Sequence, residues 1–260
     1  MFLKYFIFLF VFCLLQINLD AQIAPPGLGK VKSAFWLALG VSKKMNMQGT
    51  KKSVSYVAIG TTNSPEGKNP LGRYAALVLN QEFYKVIDKH QQYSYAFSYR
   101  RMPQYESKAP FDMSLTEQEI RIYGRYAYTQ SLTDVLEWKN TLRQEIRKFY
   151  DADFKKVDEN LEFRSRLETE LEYYLSKRNK QKLSLGAEVL FGISQLNFNT
   201  KSWTPFQYKD TRLTLYYSFD INRLPITIDI GYMNDILRGN KEAKYGIHYG
   251  AIDFIWNIPY

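Results

Sequence analysis

The stretch that decides the fold is residues 161–175, LEFRSRLETELEYYL. Its odd positions are Leu161, Phe163, Ser165, Leu167, Thr169, Leu171, Tyr173 and Leu175, and its even positions are Glu162, Arg164, Arg166, Glu168, Glu170, Glu172 and Tyr174. One set is mostly apolar and the other almost wholly charged. That is a period of two, the period of a β-strand whose faces meet different surroundings. A helix competes for the same residues, because Glu, Arg and Leu are good helix formers and Phe163, Leu167, Leu171 and Leu175 recur every four positions. A helix would, however, put Leu161 and Phe163 on nearly opposite sides. The alternation therefore favours a strand. If residues 133–178 were helical instead, the chain would be a soluble helical binding protein.

Working outward, the same alternation recurs. Leu183, Leu185, Ala187, Val189 and Phe191 alternate with Lys182, Ser184, Gly186 and Glu188. Leu213 to Ile221, Ile226 to Tyr232, Tyr93 to Tyr99 and Ile252 to Ile258 follow suit, and residues 136–148 do so less cleanly. Connections alternate between short (88–91, 131–134, 177–181, 222–225) and long (62–71, 103–116, 150–157, 195–207, 234–243). Short turns at one end and longer loops at the other are the asymmetry of an outer-membrane barrel. The expected fold is all-β: a transmembrane antiparallel up-and-down β-barrel of about 10–12 strands. About eleven segments can be counted. Single-chain bacterial barrels have even numbers, so ten or twelve is expected, with twelve favoured. Several segments exceed the roughly 9–11 residues that a tilted crossing needs, so those around 158–176 should project beyond a bilayer.

Bulk properties agree. The chain has 260 residues, 16% of them aromatic, including 21 Tyr and 17 Phe. Mean hydropathy is −0.37, low for a helical membrane protein but compatible with a barrel whose alternate residues face a polar interior. Tyr123, Tyr126, Tyr128, Trp138, Phe149, Tyr150, Tyr173, Trp203, Tyr208, Trp256 and Tyr260 fall near strand ends, where aromatic girdles form. Residues 1–21 carry a basic Lys4, an apolar run from Phe6 to Leu15 and a small residue at Ala21, the pattern of a cleaved signal peptide. Residues 22–33, broken by Pro25, Pro26, Gly27 and Gly29, read as a flexible leader, and 34–260 as one barrel domain. The address expected from this is the bacterial outer membrane.

The lone Cys13 lies in the signal, so the processed chain would hold no thiol, which excludes a disulfide framework, a Cys-ligated metal and a Cys nucleophile. Only His90 and His248 offer imidazoles, too few for a His-rich metal site. No cofactor motif is present: there is no Walker loop, dinucleotide fingerprint, EF-hand or HExxH. The net charge of +9 suits anionic lipid headgroups, whereas an exported protein rarely meets nucleic acid. Lys201, Arg238, Lys241 and Lys244 in the long loops are placed to pair with lipopolysaccharide phosphates.

The end of the chain, GAIDFIWNIPY, resembles the closing strand that the outer-membrane barrel-assembly machinery recognises, with Tyr260 in the terminal aromatic place and Pro259 as a departure. WLALGVSKKM at 36–45, EQEIRIYGRYAY at 117–128 and RLTLYYSFDINRLPITIDIGYMND at 212–235 resemble a Bacteroidota-type outer-membrane β-barrel family classed as a domain of unknown function. The resemblance extends over most of the processed chain. It implies a barrel and an outer-membrane address, and no activity.

The candidate functional residues are the charged set expected to face the lumen: Arg143, Glu145, Arg147, Glu162, Arg164, Arg166, Glu168, Glu170 and Glu172. Opposite charges on adjacent strands stabilise pairing, which makes a structural, salt-bridged barrel the first expectation. A narrow, porin-like pore lined by these charges is the close alternative. A lipid-modifying enzyme is the other alternative. It would need a base, for which His248 is the candidate, with Asp229 and Ser218 approaching from earlier strands. No catalytic constellation is evident, so a non-enzymatic protein is expected.

Overall fold

The computed structural model describes residues 31–64, 67–106, 111–176, 181–197, 200–237 and 245–259. The expected signal peptide, most of the leader, Tyr260 and the loop cations at 238–244 lie outside these. Every regular element among the described residues is a strand: β1 (Ser33–Lys44), β2 (Lys51–Thr62), β3 (Arg73–Val86), β4 (Gln91–Tyr105), β5 (Met113–Ser131), β6 (Leu136–Tyr150), β7 (Lys156–Ser176), β8 (Gln181–Asn197), β9 (Lys201–Trp203), β10 (Gln207–Asp220), β11 (Ile226–Leu237) and β12 (Tyr245–Ile258). Residues 133–178 therefore supply two long strands, β6 and β7, and the soluble helical alternative does not hold. The physical reason is the period of two: only a strand keeps Glu162, Arg166, Glu170 and Glu172 together on a buried side while Phe163, Leu167 and Leu171 stay on the other.

Consecutive strands pair antiparallel from β1 to β8. β8 then pairs with β10, β10 with β11 and β11 with β12. The three-residue β9 pairs only with the end of β8 and stands as a spur outside the wall. β1 and β12 close the ring in parallel, with Ser33 beside His248 and Lys43 beside Ile258. The wall thus has eleven strands, and the even number expected is not met. In an up-and-down barrel each hairpin reverses direction, so an odd count leaves the first and last strands running the same way. β1 is a full member of the wall.

Turns at 45–50, 87–90, 132–135 and 221–225 lie at one end, and the connections at the other end include the long 63–72 and, contrary to the length expected, the five-residue 151–155. Burial is inverted relative to a water-soluble barrel. Outward-pointing Leu39, Ile122, Leu167 and Leu185 are 53–58% exposed, while Glu119, Glu145, Asp235 and Asp253 are almost wholly buried inside. The interior has two characters. Between β10 and β3, across the seam, it is mainly apolar, with Trp36, Ala38, Ala58, Val78, Tyr216, Ala251 and Ile255 in one cluster and Ala34, Ala76, Met233, Ile247 and Tyr249 in another, although Asp229, Asp235 and Asp253 are buried among them. Under β4 to β8 and β10 it is charged.

Candidate functional site

The charged half is built by alternation. On β5, Glu119, Arg121, Tyr123 and Arg125 turn inward between Ile120, Ile122, Gly124 and Tyr126. Pairing sets them beside Arg100 of β4 and Arg147 of β6. Glu119 is the hub. Its carboxylate contacts Arg100 Nη2 at 2.5 Å, Arg121 Nη2 at 2.6 Å and Arg147 Nη2 at 2.5 Å. Arg147 also donates to Glu162 on β7 at 2.5 Å, and Arg164 Nε donates to the same carboxylate at 2.8 Å. Three guanidinium groups around one buried carboxylate satisfy the rule that a charge leaves water only with partners.

A second knot centres on Glu145, with Arg143 Nε at 2.6 Å and Arg166 Nε at 2.8 Å. Arg166 continues to Glu188 on β8 at 2.8 Å, and Arg212 on β10 lies 3.4 Å from Glu188, 3.6 Å from Asp210 and 3.5 Å from Asp235. A third knot lies nearer the short turns: Lys139 is 3.0 Å from Glu170 and 3.7 Å from Glu172, and Lys182 is 3.3 Å from Glu172. Glu82 on β3 accepts from Ser94 at 2.6 Å and Tyr123 at 2.8 Å and pairs with Arg125 at 3.5 Å. Arg143 stacks over the Tyr123 ring, 3.7 Å from its centre.

The structure therefore joins eight of the nine charged candidates in three ion-pair knots, and Glu168 lines a cavity between them. Sequence reasoning missed the other inward charges of the lattice, Glu82, Arg100, Glu119, Arg121, Arg125, Glu188, Arg212 and Asp235. The signal was present in EQEIRIYGRYAY, where Glu119 and Arg121 alternate with Ile120 and Ile122.

The cavity, of about 90 Å³, is lined by Arg125, Arg143, Arg166 and Arg212 together with Tyr56, Val78 and Tyr216. It has room for roughly six waters. On the long-loop side of it, the Glu119 knot ties β4 to β7.

The His248, Ser218 and Asp229 set is not brought together, because strand parity divides it. His248 shares its outward side with Phe254 and Trp256, and its Nδ1 lies 2.5 Å from the Tyr232 hydroxyl and 3.2 Å from Asn234 Nδ2. Ser218 and Asp229 are buried on the inner side and pair with one another across β10 and β11. The wall itself separates base from nucleophile and carboxylate. His90 sits in a short turn with its Nδ1 2.9 Å from the Thr129 carbonyl oxygen. In the aromatic set, Tyr126, Tyr128, Trp138, Tyr173, Trp203 and Trp256 are exposed, but Tyr123 and Phe149 are buried inside and belong to no girdle. Their odd numbers put them in phase with Glu119 and Arg147, not with the outward set.

The closed ring of eleven strands with a charged, ion-paired interior defines the chain as a β-barrel protein. Its residues 74–245 match the family model described as "Protein of unknown function (DUF2490)", and the chain belongs to that family. No curated protein matches the sequence.

Proposed function

We propose that the chain is an integral outer-membrane β-barrel whose interior is held shut by ion pairs, a structural barrel rather than an enzyme or an open pore. The observation that carries this is the inverted burial: large apolar side chains around the outside and paired charges within. An outward surface of Leu, Ile, Val and Phe in water is far beyond the apolar patches that soluble monomers tolerate. In hydrocarbon it is the stable arrangement, because a closed barrel leaves no backbone group unpaired. Wall strands of 12–21 residues exceed the roughly 9–11 needed to cross. The exposed Tyr and Trp side chains suit the two interfaces. On this reading a signal peptide at residues 1–21 directs export, the assembly machinery takes up the strand that ends at Tyr260, and loop cations meet lipopolysaccharide.

The test is flotation of the purified chain with liposomes, combined with planar-bilayer recording. Flotation together with a silent bilayer is expected. A chain that stays monodisperse in detergent-free buffer and does not float defeats the membrane assignment, and a steady current defeats the closed interior.

A further inference from the structure

The cavity has a composition that the ion-pair lattice alone does not require. Among the described residues that line it, seven are basic and three are carboxylates. The hub carboxylates Glu82, Glu119 and Glu145 are not in its lining; they hold the guanidinium groups from behind. The chamber therefore presents mainly hydrogen-bond donors to whatever enters it.

Two of those donors are unmet and two more are only loosely paired. Asn80 Nδ2, Arg212 Nε and the Tyr216 hydroxyl are buried without a hydrogen-bond partner, on residues that are themselves 6%, 4% and 1% exposed. Arg125 Nε likewise makes no hydrogen bond, and its ion pair with Glu82 is long, at 3.5 Å. Arg212 reaches its three carboxylates only at 3.4–3.6 Å. A buried donor without an acceptor carries its desolvation cost uncompensated. Several gathered around one small chamber are the arrangement that an oxyanion relieves, because such a group accepts from many donors at once.

The chamber also has an approach. Its lining includes Tyr84 and Gln92, which flank the 87–90 turn, and Lys139 near the 132–135 turn. Around that rim, exposed Lys43, Lys44, Lys51, Lys85 and Arg223 outnumber exposed Asp88 and Asp134. A mouth of one sign draws the opposite charge toward it.

We propose that this chamber binds a small oxyanion, a phosphate or carboxylate group, which enters from the short-turn end. Arg125, Arg212, Asn80 and Tyr216 donate to it, and Tyr56 and Val78 bound it on the apolar side. The site rests on the barrel interior and not on the membrane address, so it is tested apart from flotation.

The experiment is isothermal titration calorimetry of the full chain folded in detergent, at constant ionic strength in chloride, with inorganic phosphate in one arm and acetate in the other. Saturable binding of one anion per chain is expected, and the arm that saturates assigns phosphoryl or carboxyl chemistry. Asn80→Asp, nearly isosteric, places a carboxylate against the ligand, and Arg125→Gln removes a charged donor. Each should weaken binding at least about tenfold while heat-modifiable gel mobility shows a folded barrel. Lys155→Glu, on the opposite rim, should leave it unchanged. Three results overturn the proposal: no saturable binding by the folded parent chain, full-strength binding in both cavity variants, or equal loss in Lys155→Glu.

Discussion

Tyr216 lays its ring across the backbone of Gly231, its partner on β11, so closely that a Cβ on Gly231 would sit 2.1 Å from the ring's Cε1. The ring is 1% exposed and wedged into the apolar half of the interior, with little room to withdraw. Gly231→Ala should therefore destabilise the barrel by at least about 1–3 kcal/mol, the range for overpacking a filled interior. Urea unfolding in detergent, followed by intrinsic fluorescence, measures this. In a Tyr216→Ala background the same Gly231→Ala change should cost little, because the clashing ring is gone, and an undiminished cost there would locate the defect elsewhere.

Glu119 neutralises three guanidinium groups at once. Glu119→Gln keeps its shape and removes its charge, leaving Arg100, Arg121 and Arg147 mutually repelling in a buried place. Breaking a buried ion pair from one side costs about 3–5 kcal/mol. Adding Arg147→Met should recover part of that, since it removes one of the stranded charges. The same denaturation assay, run as a double-mutant cycle, reads the coupling.

Leu167 is 53% exposed in the middle of β7. If lipid covers it, Leu167→Arg should cost about 2–4 kcal/mol near the bilayer midplane and lower the yield of folded barrel in liposomes. If water covers it, the substitution should fall within about 0.5 kcal/mol of the parent. Comparing folding yields in liposomes with those in detergent separates the two.

His248 contacts Tyr232 and Asn234 on the outer wall. His248→Ala removes an exposed hydrogen bond worth about 1 kcal/mol. Folding, flotation and anion binding should all stay close to the parent, because nothing inside the barrel touches this ring.

Alternation was readable wherever the two sides of a strand differ in polarity, as Glu162 and Arg166 differ from Phe163 and Leu167 on β7. It was weak where both sides are apolar. On β1, Trp36 and Ala38 turn inward and Leu37, Leu39 and Val41 outward. The segment therefore carries no polarity contrast, and alternation alone does not mark it as a strand. The parity that keeps His248 from Asp229 was legible, since His248 is in phase with Phe254 and Trp256 and Asp229 lies between Ile228 and Ile230. Proximity in strand order outweighed it, although neighbouring strands bring together only side chains on one side of the wall. The cavity was not legible, because it depends on which of many inward donors lack an acceptor, and that is a matter of three-dimensional spacing.

The parallel seam between β1 and β12 separates the ends of the wall. Ser33 begins β1 beside the long loops, and Ile258 ends β12 beside the short turns. If lipid surrounds the wall as proposed, eleven crossings leave the start of the first strand in one compartment and the finish of the last in the other. An epitope placed just before Ser33 and one placed just after Ile258 would then answer to antibodies from opposite faces of the same membrane.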